Sequence, residues 1–188
     1  MTSDRFQFHP TPLEGLQEVV RNPLGDSRGS LCRLFCEDAF LAAGVNSPIN
    51  QINHTLTQKM GTVRGFHFQY PPAAEHKIVM CIRGKAFDVA VDLRAESQTF
   101  LRWHGVELSA DNGCALSIPK GFAHGFQTQS TDCELLYFHN APYAPEYEGC
   151  FHAEDPQIGV TWPLPVDEMS DKDVANPFIS KDFAGIKL

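Results

Sequence analysis

The amino-acid sequence predicts an all-β sandwich or barrel with few, short helices, and three observations carry that expectation. Period-2 alternation runs through short segments, Gly and Pro punctuate the chain evenly, and one stretch alone reads as helix. The clearest alternation is AFDVAVDLR, where Phe87, Val89, Val91 and Leu93 share one side and Asp88, Ala90, Asp92 and Arg94 the other. That pattern predicts a core face and a polar face. HKIVMCIRG, just before it, is a short apolar run closed by Gly84, so the two segments read as neighbouring strands of a hairpin. WHGVELSA, CALSIP, HGFQTQS and CELLYF follow as further strands, each ended by a Gly, Pro, Asn or Asp cluster. The helical exception is CEDAFLAAG, in which Glu37 and Asp38 put negative charge in the first turn and Gly44 supplies the stop. From Pro163 onward the chain is rich in Pro and Asp with weak periodicity, which predicts loops and short turns lying on the barrel.

With 188 residues and no repeat or linker-like composition shift, one domain over 1–188 is expected, its barrel spanning about 25–162 with 163–188 packed on it. Fifteen Lys and Arg against 23 Asp and Glu leave a net charge of −8, which argues against a general nucleic-acid binder, and 43% hydrophobic residues argue against a disordered chain. The longest apolar runs, such as residues 78–82, reach about five residues where a membrane helix needs roughly 20. The polar opening MTSDRFQ does not read as a signal peptide. Together these predict a cytoplasmic protein without membrane contact. The six cysteines lie scattered with no CxxC pair, which predicts reduced, mostly buried thiols.

Chemistry concentrates in VRGFHFQYPPAAEHK, which gathers Arg64, His67, Gln69, His76 and Lys77 among aromatic and apolar neighbours. In an extended segment Phe66 and Phe68 point away from the face shared by His67 and Gln69, so the imidazole and the amide look into a pocket while the phenyls anchor the strand. A second cluster, SIPKGFAHGF, places a turn at Pro119 and Gly121 ahead of His124. Together the two clusters resemble the two-motif pattern of the cupin jelly roll. In that pattern the first motif supplies His-x-His and a Glu to a metal, and the second supplies another His. Here Gln69 stands in place of the second imidazole, and the charges of Lys77 and Arg64 oppose a cation, so no metal is expected.

The chain is similar to the dTDP-4-dehydrorhamnose 3,5-epimerase family through blocks in matching order: GDSRG, QIN, VRGFHFQ, HKIV, FDVAVDLR, IPKGFAHGF, LLY, APYAPEYE, EDPQIGVTWP and MSDKD. The resemblance implies a cupin-like jelly-roll barrel and an isomerase that needs no cofactor. Its substrate would be a nucleoside-diphosphate 4-keto-6-deoxyhexose and its assembly a homodimer. It implies His67 as the base that removes a proton beside the ketone, a task suited to a side chain with an unperturbed pKa near 6.5. By the same resemblance Asp173 orients His67, Lys77 steadies the enolate oxygen and Tyr137 donates a proton on the opposite face. Arg28, Gln51, Asn53, Arg64, His124, Glu148 and Lys172 match binding positions, and Tyr143 matches the tyrosine that stacks on the base. Leu31 and Arg33 depart from the aromatic and the glutamate usual after DSRG, and Phe138 follows Tyr137 where a lysine is common. Three alternatives stand beside this reading: an enzyme acting at one carbon or moving the ketone, a metal-dependent cupin using His67, Glu75 and His124, and a sugar-binding cupin without turnover.

Overall fold

The computed structural model describes residues 5–45 and 48–188, and among these its regular structure is thirteen strands with two short α-helices. Residues 1–4, at the start of the polar opening, lie outside the described residues. In chain order the first half holds β1 (Phe6–Pro10), β2 (Gln17–Arg21), β3 (Leu24–Asp26), β4 (Gly29–Leu31), α1 (Glu37–Ala42), β5 (Gln51–Thr57), β6 (Val63–Gln69) and β7 (Lys77–Arg83). The second half holds β8 (Lys85–Asp92), β9 (Trp103–Ser109), β10 (Cys114–Ile118), β11 (Phe122–Thr128), β12 (Cys133–His139), β13 (Glu148–Cys150) and α2 (Asp171–Val174). A six-stranded sheet runs β1-β2-β10-β7-β12-β5 and a five-stranded sheet runs β13-β6-β11-β8-β9, while β3 and β4 form a separate hairpin. All strand pairings are antiparallel. The six-stranded sheet therefore starts at Phe6, well before the span in which the barrel was expected.

Between the sheets lies one apolar cluster, to which Val79, Leu116 and Leu135 contribute from the first sheet and Ala90, Leu108 and Phe126 from the second. The near-continuous apolar run of β7 exists because both of its faces are covered. Val79 and Cys81 face the interior, and Ile78 and Met80 face an outer layer built on Phe40 of α1 together with Phe6 and Phe138.

Two expectations need correction. First, β7 and β8 do not pair: β7 lies between β10 and β12, and β8 lies between β11 and β9 in the opposing sheet. Gly84 sits between them with φ +72°, a left-handed conformation that turns the chain across to the other sheet instead of back along its partner. Second, the face of β8 predicted to be polar is as buried as the predicted core face. Asp88 and Asp92 are fully buried on it, while Val89, Val91 and Leu93 pack on the opposite side against Ile158, Ile179 and Ile186. The C-terminal segment supplies that second cover.

Hydrogen bonds hold the segment in place. Gln127 on β11 bonds Leu164 through both ends of its amide, accepting from N–H at 2.9 Å and donating to C=O at 2.8 Å. The buried Asp155 accepts from the N–H groups of Gln157 and Ile179. Ser170 caps α2 by accepting from the Asp173 N–H. Replacing Asp155 by Ala strands buried donors and is expected to cost about 2 kcal/mol, lowering the melting temperature by roughly 4–8 °C in a calorimetric scan. An unchanged melting temperature would mean that apolar contacts alone hold the segment.

Candidate active site

Strand alternation and register together build one cavity of ≈260 Å³ opening from the barrel interior. On β6, Phe66 stacks on Trp162 at 5.8 Å and Phe68 packs against Phe151 at 5.5 Å, so His67 and Gln69 project the other way, into the cavity. His124 pairs across from His67 on β11. On β12, Tyr137 lies opposite Asn53 of β5 and Val79 of β7, and His139 lies opposite Gln51 and Lys77. Cross-strand neighbours of this kind sit about 5 Å apart, so five strands deliver their polar side chains to one place.

His67 Nε2 lies 2.7 Å from Asp173 Oδ1. Asp173 is only 4% exposed, and burial opposes its ionisation. The hydrogen bond and charge of His67, the Ser170 contact and the charge of Arg64 outweigh that and hold its carboxyl below the ordinary value. With Asp173 ionised, Nε2 carries the ring proton of neutral His67, and the lone pair is left on Nδ1. Nδ1 has no hydrogen-bond partner among the described residues, and Glu148 Oε1 stands 3.8 Å from it. Glu148 in turn accepts from Lys172 Nζ at 2.8 Å and from the Tyr143 hydroxyl at 3.2 Å.

The opposite wall carries a second set of charges. Lys77, 5% exposed, places Nζ 2.9 Å from Glu75 Oε1, and the other Glu75 oxygen lies 2.7 Å from His139 Nδ1. Burial works against the Glu75 anion, yet Lys77 and His139 prevail and bring its pKa down to about 2. Burial pushes the Tyr137 phenol well above its usual value, so the group stays protonated. Its ring meets His124 edge-on at 5.9 Å, and His124 Nε2 is held 2.8 Å from the buried Asp88.

Ten of the twelve residues singled out from the sequence line this cavity: His67, Tyr137, Asp173, Lys77, Gln51, Asn53, Arg64, His124, Tyr143 and Glu148. Lys172 stands at its rim through Glu148. Arg28 is not brought there. It sits on the exposed β3–β4 hairpin, its side chain 87% exposed and its guanidinium 2.6 Å from Asp26, because the hairpin joins neither sheet. Leu31 and Arg33 are likewise exposed and away from the cavity. Phe138 alternates away from Tyr137 and packs in the outer layer with Phe40, so it does not set the surroundings of the phenol. Sequence reasoning assigned Glu75 only to an alternative metal site and missed His139. The period of two was the available signal, since Glu75 stands two before Lys77 and His139 two after Tyr137.

A metal does not suit these donors. His67 is engaged by Asp173 and His124 by Asp88, and Glu75 has an ammonium 2.9 Å away. Gln69 donates to the carbonyls of Ala73 and Pro142 and accepts from the Ala144 N–H. A cation placed here would meet a positive charge at its only carboxylate among the four.

The family model described as dTDP-4-dehydrorhamnose 3,5-epimerase matches residues 10–181. The chain belongs to that family. The dTDP-4-dehydrorhamnose 3,5-epimerase of Sinorhizobium fredii is 38% identical over 175 residues, covering 93% of this chain and 90% of the relative. Among solved structures, the 3,5-epimerase of Legionella pneumophila in complex with dTDP-4-keto-L-rhamnose superposes with a TM-score of 0.90 at 33% identity, covering 97% of this chain and 98% of that one. A 3′-monoepimerase of Streptomyces bikiniensis in complex with dTDP-quinovose superposes with a TM-score of 0.82 at 31% identity, covering 90% and 86% of the two chains. Membership of the epimerase family accounts for the cupin-like jelly roll.

The buried Glu75 gives the fold a measurable acid limb. A carboxyl with a depressed folded pKa stabilises the protein above its unfolded value, 4.5, and that contribution disappears as pH falls toward about 2. Chemical denaturation across this window is expected to show wild type losing about 3 kcal/mol more than Glu75→Gln. Parallel curves would mean that Glu75 ionises as an ordinary carboxyl.

Proposed function

We propose that His67, Lys77, Tyr137 and Asp173 carry out the 3,5-epimerisation of a dTDP-4-keto-6-deoxyhexose, the family's isomerisation, converting dTDP-4-dehydro-6-deoxyglucose to dTDP-4-dehydrorhamnose. The observation that carries this reading is one cavity wall bearing a carboxylate-held imidazole with a free nitrogen and the other bearing a buried ammonium and a protonated phenol.

His67 Nδ1 takes the proton from the carbon beside the C4 ketone, and the C–H electrons move into the carbonyl to give an enolate. The enolate oxygen is stabilised by the Lys77 ammonium, which is already in place and nearly free of water. Asp173 balances the imidazolium that results, as the carboxylate of a Ser-His-Asp triad does. Tyr137 then returns a proton from the other face, re-forming the ketone with inverted stereochemistry, and solvent resets both groups. A second cycle at the other flanking carbon completes the reaction.

Arg64, Gln51, Asn53, His124, Tyr143, Glu148 and Lys172 bind the rest of the substrate. Arg64 supports this assignment best, with an exposed guanidinium for which no hydrogen bond or ion pair is found among the described residues. The protein acts as a homodimer in which the β3–β4 hairpin, with Leu24 and Leu31 both exposed, brings Arg28 to the neighbouring subunit's cavity. Six unpaired cysteines suit the reducing cytoplasm as its place of action.

Incubation with dTDP-4-keto-6-deoxyglucose in heavy water is expected to bring deuterium into carbons 3 and 5. Uptake at one carbon alone would make it a monoepimerase like the S. bikiniensis relative, and no uptake would reject the reading. His67→Ala should lower kcat by ~10²–10⁴-fold, whereas Arg64→Ala should act mainly on KM. Equal losses of kcat would contradict that division of labour.

A further inference from the structure

Glu75 and His139 take no part in these proton transfers, yet they form the cavity wall behind Lys77. Glu75 lies just ahead of β7, and the β7–β12 register sets His139 directly across from Lys77. The three side chains are almost entirely buried, at 10%, 12% and 7% exposure for Glu75, His139 and Lys77. Both carboxylate oxygens of Glu75 are occupied, one by Lys77 Nζ at 2.9 Å and the other by His139 Nδ1 at 2.7 Å. The His139 ring also lies parallel to that of Tyr137, 15° from coplanar with centroids 6.1 Å apart.

A lysine reaches its target through four rotatable bonds, so an unheld ammonium samples many positions. A carboxylate pinned at its second oxygen leaves one place for that ammonium. We propose that Glu75 is a positioning residue that fixes Lys77 Nζ where the enolate oxygen forms, with His139 locking Glu75 and spacing it from Tyr137. The inference rests on the role given to Lys77 above.

An opposing electrostatic effect makes the proposal decidable. The Glu75 anion also partly cancels the Lys77 charge that an enolate would feel. If neutralisation dominates, removing the anion raises turnover; if positioning dominates, removing it lowers turnover. Buried groups held in a fixed arrangement derive their catalytic value from that arrangement, and a displacement of about 1 Å can cost ~100-fold, which favours positioning.

The test measures kcat and KM on dTDP-4-keto-6-deoxyglucose for Glu75→Gln, His139→Phe and Lys77→Met, singly and combined. Glu75→Gln is expected to lose ~10–100-fold in kcat with KM changed less than about threefold. His139→Phe keeps the ring beside Tyr137 without the N–H and should lose less. In the Lys77→Met background neither substitution should lower kcat further, because each acts through the ammonium. An unchanged or raised kcat for Glu75→Gln, or losses that add to that of Lys77→Met, would overturn the proposal while the epimerase reading stands. Absence of deuterium uptake by the wild type would remove the enolate, and with it both readings. Should Glu75→Gln not fold, the cycle of His139→Phe with Lys77→Met decides the question by the same criterion.

Discussion

A hydrogen bond of 2.7 Å between His67 and Asp173 joins the barrel to the segment that wraps it. That contact fixes which nitrogen of His67 is left free toward the cavity, and in the proposed reaction it would supply the countercharge once a proton arrives. It also explains why so much structure is spent on the C-terminal segment. Asp155, Gln127 and the apolar residues Ile179 and Ile186 all bear on the path by which α2 reaches β6. The segment is the outer cover of one sheet and a wall of the cavity at once.

Buried charge follows a single rule throughout the molecule. Removing a carboxylate from water is costly unless a cation or several donors meet it. Four buried carboxylates described above have a cationic or imidazole partner, Asp173 with His67, Asp88 with His124, Asp92 with Arg94, and Glu75 with Lys77 and His139, while Asp155 is met by the N–H groups of Gln157 and Ile179. Three of these four pairs line or lie just beneath the same cavity. In an acidic protein with a net charge of −8, the cavity thus sets Arg64 and Lys77 beside Glu75, Glu148 and Asp173.

The sequence made the alternating strands legible because alternation is local. β9 to β12 lie where their runs of residues place them, as does α1 with Gly44 beyond its end. Which strand pairs with which is not local, so β7 and β8 read as a hairpin although Gly84 sends them into different sheets. The polar side of β8 read as distinct from the core because Asp88 and Asp92 carry no mark of the partners that bury them. At the cavity, motif resemblance identified His67, Lys77 and Tyr137, but their partners Glu75 and His139 needed the register between β7 and β12. Arg28 belongs to a motif whose hairpin lies apart from both sheets, and no spacing in the chain conveys that.

Gln69 occupies the position at which a metal-binding barrel would present an imidazole, and its amide is committed three times over to the main chain at Ala73, Pro142 and Ala144. Those bonds tether the turn that carries Tyr143 beside the cavity mouth. A single change of Gln69 to histidine would therefore gain one ligand and release the turn that carries Tyr143. A metal site on this scaffold would have to rebuild the rim and the ligand set together, which no single substitution can do.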